Sequence, residues 1–137
     1  MKCHVVIDTN VLVSALLSRN NESATVQLLE RLLKLEVIPI YSEDIIQEYW
    51  EVLNRPKFNF SQELVRWLLE TVVKYGKMVE TAPIDEVLPD KKDLPFYEVV
   101  METREEQSYL VTGNLKHFPI RPYIVTARQM LEIIDGQ

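Results

Sequence analysis

The side chains best suited to chemistry in this sequence are acids and an amide that stand beside apolar runs. Asp8 directly follows the apolar run from Cys3 to Ile7, and Asn114 stands three residues past a second run that ends at Val111. An acid placed directly after a buried strand has few structural roles to fill, so we expect Asp8 to be functional. Two further acids stand in predicted helices, and the candidate group is Asp8, Glu48, Asp93 and Asn114.

This group is the ligand set of a hard cation. The chain has only 2 His and 1 Cys, whereas Mg²⁺ and Mn²⁺ prefer oxygen ligands and keep part of their water shell. Without a cation, clustered carboxylates repel one another and their pKa values rise. The alternative interpretation is that each acid caps a helix or lies solvated on the surface. Taken singly, Glu48, Asp90 and Asp93 fit this alternative.

Short apolar runs bounded by polar residues predict the strands that would position these groups. Three runs are well defined, at residues 3–7, 37–40 and 109–111, and two are weaker, at 78–79 and 124–125. Helical patterns lie between them, which indicates a mostly parallel sheet with helices on both faces. Ligands of such sheets bind at the carboxyl ends of the strands. No linker or repeat divides the chain, and we expect a single domain over residues 1–137.

The helices are marked by their caps and by their apolar spacing. Ser42 is expected to cap the helix that carries Glu48. A later helix should end before Gly76, which suits the left-handed conformation common past a helix end. Trp50 and Trp67 fall within helical apolar patterns, and we predict that both lie in the core. The alternative is that either of them anchors a partner.

Composition limits the classes of protein that fit. The net charge of -6 repels the phosphate backbone at long range, so any contact with nucleic acid must be local. Cys3 is the only cysteine, which rules out an internal disulfide, and we expect it to be buried in the first strand. No apolar run approaches the roughly 20 residues that cross a bilayer, and no export signal is evident. We expect a cytoplasmic protein without a membrane partner.

Four segments of the chain, in this order and spacing, resemble the successive motifs of the PIN-domain family: VIDTNVLVSAL, SEDIIQEYWEVLNRPKF, DKKDLPFYEVV and YLVTGNLKHFP. The similarity runs from Val5 to about Pro119 and is greatest to the toxins of prokaryotic toxin-antitoxin systems. The resemblance implies a three-layer α/β/α sandwich with a central mostly parallel sheet. It also implies a nuclease that depends on Mg²⁺ or Mn²⁺ and acts mainly on RNA. Its partners would be an RNA substrate and an antitoxin protein, and a homodimer would fit the family.

The resemblance also assigns roles to single residues. The first acid of the family matches Asp8, and the polar pair Thr9 and Asn10 helps to orient it. The helical acid matches Glu48, and the third acid matches Asp93. These three carboxylates would hold one Mg²⁺ or Mn²⁺, whose bound water attacks the RNA phosphodiester.

The fourth position departs from the family. PIN domains most often have an Asp where this chain has Asn114, and an amide oxygen supplies no charge. Asp90 and Glu98 stand close enough to Asp93 to be co-ligands. The departure leaves an alternative open, in which the chain is a catalytically weakened PIN-fold binding module that acts through a protein partner.

The sequence alone does not decide the roles of the residues around Asn114. Thr112 is expected to form the turn that ends a strand, whether or not it also touches the site. Lys116 and His117 follow Asn114 closely. They either contact RNA phosphates near the metal or are solvated loop charges.

Overall fold

The computed structural model describes residues 2–137 and is built around a five-stranded sheet. The five predicted strands are confirmed. The strand predicted at 37–40 is one residue longer, and the strand predicted at 78–79 lies one residue earlier. Every neighbouring pair of strands is parallel. The strands are β1 (Cys3–Ile7), β2 (Val37–Tyr41), β3 (Lys77–Met78), β4 (Tyr109–Val111) and β5 (Ile124–Val125).

Six α-helices lie in the described part of the chain and cover both faces of the sheet. They are α1 (Thr9–Leu17), α2 (Ala24–Leu33), α3 (Glu43–Leu53), α4 (Gln62–Tyr75), α5 (Leu94–Glu102) and α6 (Ala127–Asp135). One group of packed helices consists of α1, α2 and α6, and a second consists of α3, α4 and α5. This is the predicted three-layer α/β/α sandwich. Among residues 2–137, no helix combines the length and apolar character needed to cross a membrane.

The order of the strands makes β1 the centre of the sheet. Along the sheet the order is β3-β2-β1-β4-β5. The chain therefore adds two strands on one side of β1 and then crosses back to add two on the other. Val5 and Val6 of β1 are completely buried, as successive apolar residues of a strand covered on both faces should be. In open parallel sheets, ligands bind beside the strand at which the order reverses, here at the carboxyl ends of β1 and β4.

The structure shows that the prediction for Trp50 and Trp67 was wrong. The two side chains are 41% and 52% exposed. Both helices carry apolar residues on two adjacent stripes, and helical spacing alone does not show which stripe faces the sheet. The stripe of α4 that is buried consists of Val65, Leu68, Leu69 and Val72.

Gly76 ends α4 for a different reason from the predicted one. Its φ of -93° and ψ of -170° are extended, so the predicted left-handed conformation was wrong. The residue is instead required for a close approach of two backbones. A Cβ built on Gly76 would lie 2.5 Å from the carbonyl oxygen of Pro39 and closer still to that of Val72. The missing side chain lets the chain turn from α4 directly into β3 beside β2.

We therefore expect Gly76→Ala to lower the free energy of unfolding by about 1 to 3 kcal/mol, because two backbone oxygens must move to admit the methyl group. Urea unfolding measures this change. The matched control is Gly113→Ala, whose Cβ would meet its nearest atom, the Asn10 Oδ1, at an ordinary 3.5 Å. The control should change stability by less than about 0.5 kcal/mol. Equal losses in the two variants would contradict the close-approach explanation.

Candidate metal centre

A cleft of about 420 Å³ opens at the carboxyl ends of β1 and β4. Its walls include all four candidates from the sequence, Asp8, Glu48, Asp93 and Asn114. A larger cavity of about 600 Å³ lies beside Cys3, at the start of β1, and has one acid in its walls, Glu36. The strand-end cleft is therefore the site where the acids gather.

Asp8 is held in the cleft by residues that follow β1 and β4 in the chain. It occupies the N-cap position of α1, but its side chain makes no capping hydrogen bond. Instead its Oδ2 accepts a hydrogen bond from the Thr112 hydroxyl at 2.8 Å and a longer one from the Asn10 amide at 3.5 Å. The Asn10 Oδ1 in turn accepts from the Gly113 N–H at 3.2 Å. These contacts thus fix the Asp8 carboxylate, which does not cap the helix that it begins.

The environment of Asp8 disfavours its charged form. Burial raises the pKa of the Asp8 carboxyl to about 6, and the hydrogen bond from Thr112 opposes this rise. The negative charges of Asp93 and Glu48 also contribute to this rise. Such mutual repulsion is expected where carboxylates share a site that a cation would neutralise.

Glu48 lies on α3, the helix that Ser42 caps, as the sequence predicts. The Thr9 hydroxyl, which was expected to orient Asp8, donates a hydrogen bond to the Glu48 Oε2 instead. Burial raises the pKa of the Glu48 carboxyl, and the Thr9 hydrogen bond opposes this rise. The polar pair after β1 therefore serves two acids, because Thr9 contacts Glu48 and Asn10 contacts Asp8.

Asp93 ends a short 3-10 turn (Lys91–Asp93) and opens α5. Its side chain makes no capping hydrogen bond, and its Oδ2 lies 2.9 Å from the His117 Nδ1. Burial raises the pKa of the Asp93 carboxyl, and His117 opposes this rise. Asp90 does have a capping role, since its Oδ1 accepts from the Lys92 N–H at 3.0 Å. The helix-cap interpretation thus describes Asp90 and fails for the Asp93 side chain.

The three acids share one pattern that suits a cation. Each uses one carboxylate oxygen for the contact just described, and within residues 2–137 the other oxygen accepts no hydrogen bond from a side chain. Ligand atoms of Asp90, Asp93 and His117 lie within 4.8 Å of one another, and no such group within residues 2–137 includes Asp8 or Glu48. An ion held by all three acids therefore needs either bridging water, which Mg²⁺ commonly keeps, or a small closure of the cleft.

The remaining candidates take different places. Thr112 fills both roles, because its hydroxyl binds Asp8 and also accepts from the Asn114 N–H at 3.0 Å. Asn114 is exposed at the rim of the cleft. Lys116 and Glu98 are not among the cleft residues. Two basic side chains that do line the cleft are Arg55 and Lys92.

The contact between His117 and Asp93 was missed by sequence reasoning, which considered His117 only as an RNA contact or a loop charge. The two residues are 24 positions apart in the chain. Proximity of His117 to Asn114 was the only available signal, and it did not indicate the partner.

The raised pKa of Asp8 predicts that the stability of the metal-free fold depends on pH. Folding moves this pKa from its ordinary 3.8 to about 6, so the metal-free fold loses stability as pH rises through that interval. In EDTA at neutral pH we expect Asp8→Asn to be more stable than wild type by about 2 to 3 kcal/mol. The difference should vanish below pH 3.8, where Asp8 is neutral in both states.

Urea unfolding at several pH values measures this difference, and Asp85→Asn on the exposed loop is the matched control. An Asp8→Asn variant that is less stable than wild type in EDTA at neutral pH would show that the Asp8 charge supports the fold.

Comparisons with known proteins place this architecture in a family. The sequence profile of the PIN domain matches residues 4–116. A comparison with curated protein sequences finds no match. In fold, the chain is similar to the crystal structure of PAE2754 from Pyrobaculum aerophilum, with a TM-score of 0.61 and 15% identity over 99% of this chain and 91% of that one. Because the PIN-domain profile spans most of the sequence and the fold agrees with it, the chain belongs to the PIN-domain family.

Proposed function

We propose that the protein is a metal-dependent endoribonuclease and acts in the cytoplasm as the toxin of a toxin-antitoxin pair. PIN domains are generally nucleases and typically use divalent metals. One observation carries the proposal for this chain. The buried Asp8 carboxylate lies at the switch point of the sheet, is held there by Thr112, and does not cap the helix that it begins.

The donor set of the cleft fits Mg²⁺ or Mn²⁺. Asp8, Glu48 and Asp93 would hold the cation through their free carboxylate oxygens, and Asn114 would add a neutral oxygen at the rim. Hard cations favour such oxygen donors, and the single cysteine of the chain is buried in β1. A cation held there would supply Lewis-acid chemistry, lowering the pKa of a water molecule and offsetting the charge that develops on the phosphate.

The residues of the chain supply position and charge balance. Thr112 and Thr9 each fix one acid, so the ligands are arranged before the cation arrives. Arg55 and Lys92 give the acidic cleft a local positive charge that can meet RNA phosphates. Such a local charge is needed because the net charge of -6 repels the phosphate backbone at long range. The walls of the cleft contain no serine or cysteine, so the nucleophiles of the common covalent hydrolases are missing there.

The toxin role needs a protein partner, and an apolar groove between α3 and α4 supports one. The groove holds about 390 Å³ and includes the exposed Trp50 and Val73 side chains, with Arg66 and Lys74 also in its lining. Exposed aromatic and arginine residues are enriched in protein interfaces. We propose that the antitoxin covers this groove. A homodimer through the same face would be the competing assembly.

We expect the purified protein to cleave single-stranded RNA in Mn²⁺ or Mg²⁺, and to lose this activity in EDTA and in Asp8→Asn. The substitution preserves the shape of the side chain and removes a charged ligand, so the circular dichroism spectrum should not change. Gel analysis of a labelled RNA measures cleavage. Metal binding without cleavage by the wild-type chain would favour the PIN-fold binding module, whose support in the sequence is Asn114.

We also expect induced expression in a bacterial host to arrest growth, because cleavage of cellular RNA stops protein synthesis. Asp8→Asn should relieve the arrest at equal protein level, which immunoblotting verifies. Growth that is equally unaffected by both chains, combined with RNA cleavage in vitro, would remove the toxin role and leave the nuclease.

A further inference from the structure

We propose that His117 is a positioning residue that holds Asp93 in the orientation in which it binds the cation. The inference rests on the proposed metal site and adds a residue to it. It starts from the hydrogen bond between the His117 Nδ1 and the Asp93 Oδ2, at 2.9 Å.

The backbone around His117 is anchored to the helix that Asp93 opens. His117 ends a 3-10 turn (Leu115–His117) whose last N–H donates to the Asn114 carbonyl at 2.9 Å. The next residue, Phe118, is buried, and its ring centroid lies 6.4 Å from that of Tyr97 on α5. Packing of Phe118 against α5 therefore fixes the imidazole beside the carboxylate at the start of the same helix.

Asp93 depends on this contact more than Asp8 depends on Thr112, because Asp8 has a second partner in Asn10. Its carboxylate does not cap α5, and within residues 2–137 its side chain forms a hydrogen bond with His117 and with no other residue. Without it the carboxylate can rotate about its side-chain bonds. The contact engages Oδ2 and leaves Oδ1 free, just as Thr112 engages one oxygen of Asp8 and leaves the other.

The proton in this bond lies on Nδ1, because an ionised carboxylate can only accept. A protonated Nδ1 has no lone pair for a metal, so through this nitrogen His117 acts only by way of Asp93. The Nε2 atom keeps its lone pair. Direct ligation by the imidazole, within the Asp90, Asp93 and His117 group, is the competing arrangement. Residues that orient metal ligands typically contribute about 10- to 100-fold to metal affinity.

Two substitutions of His117 separate these arrangements in the full chain. In His117→Leu the donor is lost while apolar bulk is kept, and calorimetric titration with Mn²⁺ should give an affinity about 10- to 100-fold weaker than wild type. In His117→Asn the side-chain amide can donate from nearly the position of Nδ1, and most of the affinity should return. The matched control is Leu115→Ala in the same turn, which should bind Mn²⁺ as wild type does. Melting in EDTA verifies that each variant is folded.

Pulsed electron paramagnetic resonance of bound Mn²⁺ distinguishes a positioning role of His117 from direct ligation by its imidazole. Wild type should show no coupling to a directly bound nitrogen. Such a coupling, lost in His117→Leu and not restored by His117→Asn, would make His117 a ligand and overturn the positioning role. Unchanged affinity in His117→Leu, with loss of binding in Asp93→Asn, would overturn the inference and keep the metal site. Absence of Mn²⁺ binding by wild type would overturn both.

Discussion

Hydrogen bonds between the ends of β1 and β4 join two parts of the chain that lie about a hundred residues apart, and the cleft depends on them. The Asp8 N–H donates to the Val111 carbonyl at 2.9 Å, which continues the sheet ladder by one residue. The Asp8 side chain accepts from Thr112, 104 positions away. Below this point Val6 and Leu110 pair in register and are completely buried, so the ends of the two strands cannot separate without opening the core.

The carboxylate cluster that suits the cleft to a cation also destabilises the metal-free fold. Desolvation raises the pKa values of Asp8, Glu48 and Asp93 in the metal-free protein, and repulsion by neighbouring carboxylates adds to each rise. The apolar core of the sheet compensates for this strain, and the hydroxyl groups of Thr9 and Thr112 reduce it locally. A cation that binds only the folded state reverses the effect, since it stabilises the fold by about 2.7 kcal/mol at 100 times its dissociation constant. The chain therefore keeps an unfavourable charge cluster that becomes favourable only with a ligand.

Sequence reasoning succeeded where the physical cause is local or follows from strand order. The position of Asp8 could be predicted because an acid after a buried strand must lie at the sheet edge, and strand alternation then brought Asn114 to the same edge. Burial of Trp50 and Trp67 could not be judged, because two apolar stripes on one helix compete for the core.

Other features depended on contacts between distant segments. The need for Gly76 comes from the Pro39 carbonyl in a neighbouring strand, which no helix-end rule contains. The pairing of His117 with Asp93 arises where a 3-10 turn packs on α5, and that packing is a property of the assembled fold. Local spacing was enough to assign Gly76 to a helix end and His117 to a loop. It did not identify the residues that they contact.

The long separation between the two halves of the cleft also has a consequence for the order of synthesis. A ribosome makes Asp8 and Glu48 well before it makes Asp93, strand β4 and Thr112. Until β4 has left the exit tunnel, Asp8 lacks its hydroxyl partner and the sheet lacks one neighbour of its central strand. For the proposed ribonuclease, a growing chain that lacks β4 would therefore be inert beside the messenger RNA that encodes it, and cutting would begin only after β4 has been made.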